Sequence, residues 1–226
     1  MTVTASTAIE PDYKKRLDAD TNWALREGSM FFQNEGEVQK SLRRITGRLN
    51  DLGIDYAVVG GMALFLHGFR RFTEDVDILV TREGLQRLHE ALEGSGYRPP
   101  FAGSKNLRDT ENGVRIEFLI AGEFPGDGKA KPVAFPEPGS VASEQEQIQV
   151  LNLESLIELK LASGMSGGIE RLKDIADVVE VIKMLGLPET ISDRLNPYVG
   201  DRYRELWQEI EAARKQREAD GVEPQG

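Results

Sequence analysis

The chain has 226 residues, no cysteine and only two histidines, His67 and His89, which excludes disulfides, thiolate zinc sites, cysteine nucleophiles and a multi-histidine metal cage. At this length roughly 70% of the unfolded surface can be buried without staples. A formal net charge of -10 argues against sequence-independent nucleic-acid binding over a broad basic surface and leaves two local basic candidates, Arg43-Arg44 with Arg48 and Arg70-Arg71.

Residues 1–35 show no sustained period and carry Pro, Asp, Asn and Gly, so an N-terminal arm or tail is expected there. From Glu37 to Leu52, Val38, Leu42, Ile45, Leu49 and Leu52 recur at spacings of three and four, which predicts an amphipathic helix ended by Gly53. A strand, Tyr56–Val59, runs into Gly60-Gly61, and Met62–Leu66 reads as a short helix. Asp75–Val80 reads as a strand and Gly84–Leu92 as a helix capped by Thr81 with Glu83 in its first turn. Strands are expected near Lys105–Arg108 and over Val114–Ile120, with a Glu111-Asn112-Gly113 turn between them.

Residues 121–146 carry four prolines and the glycines 122, 126, 128 and 139, the composition of a long loop that is functional or joins two lobes. Helices are predicted over Leu153–Ala162, Ile169–Leu185 and Tyr203 to about Ala219. The stripe Tyr203, Leu206, Trp207 and Ile210 fits core or an oligomer contact better than a base-stacking platform. The closing READGVEPQG reads as disordered. The expected division is an arm over 1–35, a core over 36–146 and a helical region over 147–226. The expected class is α/β (α+β), a mixed sheet flanked by helices. No apolar run is long enough to span a bilayer, and the expectation is a soluble, cytoplasmic protein with no membrane partner.

The chemistry concentrates in "GGMALFLHGFRRFTEDVDILV". Residues two apart in a strand point the same way, about 6.8 Å apart, so Asp75 and Asp77 share one face while Val76, Ile78 and Val80 take the other. Two like charges so placed repel unless a cation lies between them. In Val114–Ile120, Glu117 likewise falls on the less apolar face, and three carboxylates converge if the two strands are neighbours. Oxygen-only ligands suit Mg²⁺ or Mn²⁺. Taken alone, an Asp-x-Asp at a strand end is more often a solvated turn, and glycosyltransferases also use it. Gly60-Gly61, where a strand meets a helix, adds backbone N–H groups suited to phosphate.

Val59-Gly60-Gly61, the short helix and Asp75-Val76-Asp77-Ile78 together resemble the signature of the polymerase-beta-type nucleotidyltransferase superfamily. The spacing Arg71-x-Thr73-x-Asp75-x-Asp77 is closer to the AbiEii-type nucleotidyltransferases, many of which are toxins of toxin–antitoxin systems. The resemblance covers about 55 to 185. It implies a nucleotidyltransferase-like mixed sheet, a helical C-terminal part, and Mg²⁺- or Mn²⁺-dependent transfer of a nucleotide from a nucleoside triphosphate (NTP). It assigns the metal to Asp75, Asp77 and Glu117, and the nucleotide to Gly60, Gly61, Arg71, Thr73 and Lys160. In such toxins a lysine-bearing helix precedes a Lys/Arg-Asp-x-x-Asp element, matched here by Lys160 and by Asp174 and Asp177 in "LKDIADVV". Catalytic roles are thereby implied for Asp75, Asp77, Glu117, Lys160 and Asp174.

From periodicity alone, Lys160 lies on the apolar face of its helix, where it either meets an anion or snorkels past the core. Arg71 either contacts phosphate or braces the aspartates. The sequence departs from the resemblance in two places. Glu117 follows the broader superfamily, whereas some toxin relatives lack that ligand. The segment Ser163–Gly168 is glycine-rich where relatives often carry an arginine, for which Arg171 is the candidate substitute. Lys105, Lys129 and Lys131 read as solvated loop charges, although the "GDGKAKP" loop is placed to close over a substrate. The acceptor is left open between a tRNA or other RNA end, a protein side chain and an antibiotic hydroxyl. An antitoxin protein is a further implied partner, and a non-catalytic nucleotide- or partner-binding module is the rival reading.

Overall fold

In the computed structural model, which describes residues 12–221, a seven-stranded mixed sheet runs in the order β3-β4-β5-β2-β1-β7-β6. The strands are β1 (Tyr56–Val59), β2 (Asp75–Val80), β3 (Tyr97–Arg98), β4 (Leu107–Asp109), β5 (Arg115–Ile120), β6 (Ala142–Gln145) and β7 (Ile148–Leu151). The helices are α1 (Tyr13–Ala19), α2 (Thr21–Phe32), α3 (Glu37–Asp51), α4 (Gly60–Leu66), α5 (Arg82–Leu92), α6 (Pro138–Val141), α7 (Leu153–Ser166), α8 (Leu172–Leu185) and α9 (Pro197–Ala219). The mixed sheet flanked by helices is the class expected from the sequence. No helix among the described residues is long and apolar enough to cross a membrane.

Strand β2 sits at the centre because its Val76, Ile78 and Val80 are all fully buried. It pairs antiparallel with β1 and parallel with β5. The register sets Asp77 opposite Val59 on one side and opposite Glu117 on the other. A one-residue slip would turn the valines to the cleft and the carboxylates into the core, so burial of the apolar face fixes where the acids point.

Residues 13–32 differ from the expected tail. They fold as α1 and α2, and they bury Tyr13 and Phe31 in the common core. The buried Glu27 carboxylate explains the docking: its Oε1 accepts from Tyr13 Oη at 3.0 Å and from the Glu37 backbone N–H at 2.7 Å. Glu37 opens α3, whose N-cap Gly36 offers no side-chain acceptor, so a carboxylate from α2 satisfies one of the orphan donors there. Gln39 Nε2 adds a bond to the Phe31 carbonyl at 2.9 Å. The anchors are isolated residues rather than a stripe, which is why periodicity did not reveal them.

The division at 146 also differs, because a hairpin crosses it. Glu146 and Gln147, with φ of 52° and 66°, turn β6 into β7, and β7 joins the sheet parallel to β1. Both residues adopt the left-handed conformation that tight hairpins need, without the Asn-Gly chemistry that announces it. Helix α9 starts earlier than expected, with Pro197 in its first turn and Asn196 Oδ1 accepting from Tyr198 N at 3.0 Å. The stripe on α9 is core at Tyr203 and Leu206, and Trp207 Nε1 donates to the Leu187 carbonyl at 2.9 Å. Of the expected disordered end, residues 217–219 are helical and residues 222–226 lie outside the described residues.

If α2 is part of the core, Phe31→Ala will lower unfolding stability by about 3–5 kcal/mol in a urea titration. A loosely docked arm would give less than about 0.5 kcal/mol.

Candidate active site

The site begins with the acidic face of β2 and β5. Asp75, Asp77 and Glu117, all half-buried, each offer a carboxylate oxygen, and these oxygens lie within 4.8 Å of one another. Burial and then the Asp75 and Glu117 charges push Asp77 well above the usual carboxylate range, while Lys160 and Lys173 pull it back. Two neighbours partly relieve the repulsion. Thr73 Oγ1 donates to Asp75 Oδ1 at 2.8 Å, and Arg115 Nη2 pairs with Glu117 Oε1 at 2.8 Å. An all-oxygen donor set of this kind fits Mg²⁺ or Mn²⁺.

Gly60 and Gly61 are required by this acid cluster. Gly60 has φ of +62°, and a Cβ there would lie 1.9 Å from Asp77 Oδ2, closer than atoms can approach. A Cβ on Gly61 would lie 2.8 Å from both Cβ and Oγ1 of Thr73. The glycine pair thus lets Asp77 and Thr73 pack against the turn from β1 into α4.

The second wall comes from α7, whose Leu156, Leu159, Lys160 and Ser163 fall on one helical face and border the cleft. Lys160 Nζ donates to Asp174 Oδ1 at 3.0 Å and to Asp177 Oδ2 at 2.7 Å. Ser163 Oγ donates to Asp174 Oδ2 at 2.7 Å. Arg71 reaches Asp177 from the segment preceding β2, with Nε 2.8 Å from Oδ1 and Nη2 3.0 Å from Oδ2. All three cluster residues on α7 and α8 that carry charge are buried. The lysine on the apolar face therefore meets anions rather than snorkelling, and Arg71 braces α8 rather than Asp75 or Asp77.

The two walls enclose a cleft of about 510 Å³. Gly60, Gly61, Arg71, Thr73, Asp75, Asp77, Glu117, Lys160 and Asp174, the residues singled out from sequence, all border it. Several bordering groups were missed. Arg115 and Leu119 lie two residues either side of Glu117 on β5 and share its face, so strand periodicity alone places them there. Lys173 adjoins Asp174 in the "LKDIADVV" element. Pro125, Gly126 and Phe135 come from the Pro-rich loop, where no period signals them. That loop is held as a wall: Gly122 N and Phe135 N bond to the Phe135 and Glu123 carbonyls, each at 2.8 Å. Lys131 Nζ closes its tip on the Pro125 carbonyl at 2.5 Å and on Asp127 at 2.6 Å.

Arg43, Arg44 and Arg70 have other occupations. Arg44 Nη2 lies 2.7 Å from the buried Asp109, Arg43 Nη2 bonds to the Asn34 carbonyl at 2.8 Å, and Arg70 stands 5.6 Å over the Phe65 ring. His67 Nε2 contacts the Leu151 carbonyl at 2.7 Å, tying the end of α4 to β7. Lys105 pairs with Glu123 at 3.5 Å.

The chain belongs to the family described as uncharacterised nucleotidyltransferase, whose match spans residues 14–209. No curated protein matches it. Among solved structures it is similar to JHP933 from Helicobacter pylori, at 15% identity over 81% of this chain and 94% of that one, with a TM-score of 0.46. It is similar to TM1012 from Thermotoga maritima, at 20% identity over 61% and 91% of the two chains, TM-score 0.43. It is also similar to the antibiotic-resistance factor ANT(2'')-Ia, at 12% identity over 79% and 95%, TM-score 0.43.

The raised proton affinity of Asp77 has a signed consequence for stability. The folded state holds this proton to a higher pH than the unfolded chain does, so the fold loses stability as pH climbs from the ordinary Asp range through the raised value. Asp77→Asn will therefore raise Tm in metal-free buffer more at pH 8 than at pH 5; an equal or negative change at pH 8 contradicts the crowding of charge. In the neighbouring cluster, Asp177→Ala leaves Lys160 and Arg71 short of their anion. Chemical denaturation should show a loss of about 3–5 kcal/mol, against less than about 0.5 kcal/mol for the exposed Lys183→Ala.

Proposed function

We propose that the protein is a metal-dependent nucleotidyltransferase moving a nucleoside monophosphate from an NTP to an acceptor hydroxyl. The convergence of Asp75, Asp77 and Glu117 within 4.8 Å beside a cleft large enough for a nucleotide carries this reading. The three carboxylates would hold Mg²⁺ or Mn²⁺, which when bound neutralises phosphate charge and favours the alkoxide form of the acceptor. Thr73 positions Asp75, and the backbone of Gly60 and Gly61 borders the nucleotide. Lys160, with two of its three N–H donors spent on Asp174 and Asp177, borders the nucleotide with the third. Asp174 acts by fixing Lys160, and Arg71 by fixing Asp177.

The acceptor oxygen attacks the α-phosphorus in line, the bond from that phosphorus to its bridging oxygen breaks, and pyrophosphate leaves with the bond's electron pair. The acceptor hydroxyl loses its proton, for which Glu117 is the candidate base. Most of the rate comes from positioning and charge neutralisation.

The finer reading is an AbiEii-type enzyme acting in the cytoplasm on an RNA or tRNA end or a protein hydroxyl, as the toxin of a toxin–antitoxin pair. Its support is the run from Arg71 through Thr73 and Asp75 to Asp77, together with the paired Lys160–Asp174–Asp177 cluster. Incubation with labelled NTPs and Mg²⁺ against total RNA, protein extract and aminoglycosides in turn should label RNA or protein. Asp77→Ala should cut transfer by about 10³-fold or more while the far-UV spectrum stays native. Full activity in Asp77→Ala ends the assignment. Label on the aminoglycoside alone ends the toxin reading but keeps the enzyme class. In a growth assay, expression of the wild-type chain should be inhibitory and Asp77→Ala harmless.

A further inference from the structure

Four cationic side chains from the C-terminal half and the β2 approach border the cleft: Arg71, Lys160, Arg171 and Lys173. They fall into two kinds. Lys160 is buried between two carboxylates, and Arg71 makes two contacts to one of them. The charge of each is thus already met by buried acids, so a phosphate chain gains less from them than from an unpaired cation, and displacing Asp174 or Asp177 would leave a buried charge unpaired, which is unfavourable. Arg171 and Lys173 are exposed, and neither makes a hydrogen bond or ion pair among the described residues. They precede and follow Leu172, at the start of α8 and the mouth of the cleft.

The placement of Arg171 is built into the glycine-rich segment. A Cβ on Gly167 would lie 2.2 Å from Arg171 Cγ and 2.7 Å from its Cβ, so only glycine lets the arginine stem lie there. A Cβ on Gly164 would meet Ile175 Cγ1 and Cδ1 at 2.5 Å, so a second glycine lets α8 approach α7. The segment Ser163–Gly168 thus sets the stem of one unpaired cation, and the next turn carries the other.

We infer that Arg171 and Lys173 are the main residues that bind the β- and γ-phosphates of the NTP, and hence the departing pyrophosphate, while Lys160, left with one N–H, and Arg71, committed to Asp177, contribute less. This rests on the nucleotidyltransferase reading above. The physical argument is one of availability. A triphosphate brings about four negative charges near pH 7, a guanidinium forks onto phosphate oxygens in pairs, and an ammonium meets them as a point charge. Unpaired, solvated cations can take up that charge without first breaking buried ion pairs.

The test compares nucleotides with and without the terminal phosphates. Binding of a non-hydrolysable NTP analogue and of the matching monophosphate would be measured by calorimetry with Mg²⁺ present, on the wild-type chain and on the double variant Arg171→Gln/Lys173→Gln. Inorganic pyrophosphate would be titrated as a third ligand. The expected result is at least a tenfold weaker Kd for the analogue and for pyrophosphate, a monophosphate Kd within about twofold, and an unchanged Tm. Arg171→Lys and Lys173→Arg should each restore most of the affinity. An unchanged analogue Kd, or equal losses for analogue and monophosphate, would overturn the inference. If the wild-type chain binds none of the three ligands, the nucleotidyltransferase reading falls first and takes this inference with it. Because both positions are exposed, each single glutamine variant should fold even where the double one does not, and each is expected to show the same selective loss.

Discussion

The repulsion among three carboxylates on two adjacent strands is the constraint around which this molecule is arranged. Asp75 and Asp77 alternate with three fully buried residues, so the hydrophobic effect that fixes β2 also forces both acids to one face. The parallel register with β5 then adds Glu117 directly opposite Asp77. Each neighbour of the cluster can be understood as a response to that crowding. Gly60 has no Cβ to strike Asp77, Gly61 none to strike Thr73, Thr73 donates to Asp75, and Arg115 pairs with Glu117. These contacts leave Asp77 with its proton affinity raised, and a divalent cation is the partner that would satisfy all three acids together.

The opposite wall solves a different problem with the same kinds of charge. Lys160, Asp174, Asp177, Arg71 and Ser163 form a closed set in which every charged member has an opposite partner within 3.0 Å. Such a set fixes α7, α8 and the approach to β2 relative to one another. It does so without presenting much net charge to the cleft, and among the exposed cations bordering it Arg115 is paired with Glu117 while Arg171 and Lys173, next to the exposed Glu170, have no ion-pair partner among the described residues.

How legible this was in the sequence depended on the range of the interaction. The central strands and α3 follow from periods of two and of three to four residues, which are local properties of Asp75–Val80 and Glu37–Leu52. The acidic trio was legible because strand alternation and strand adjacency suffice to bring the acids together. The docking of α1 and α2 was not, since it depends on one buried glutamate serving Tyr13 and the first turn of α3. The β6–β7 hairpin was hidden by a Glu-Gln turn that lacks the usual glycine. The sequence placed Lys160 on an apolar helix face but could not say what it would meet. Only the packing of α8 against α7 supplies Asp174 and Asp177. Gly60-Gly61 suggested phosphate binding from its position, whereas in the fold its first demand is room for Asp77 and Thr73.

Binding of a divalent ion at the acidic trio is the most direct test of this account, and titration of Mn²⁺ into the chain, followed by the loss of its free-ion paramagnetic resonance signal, would measure it. The wild-type chain should take up Mn²⁺ saturably, Mg²⁺ should compete it off, and replacing Glu117 with glutamine should weaken uptake while replacing both aspartates with asparagine abolishes it. Uptake that survives loss of both aspartates would place the ion elsewhere and contradict the account.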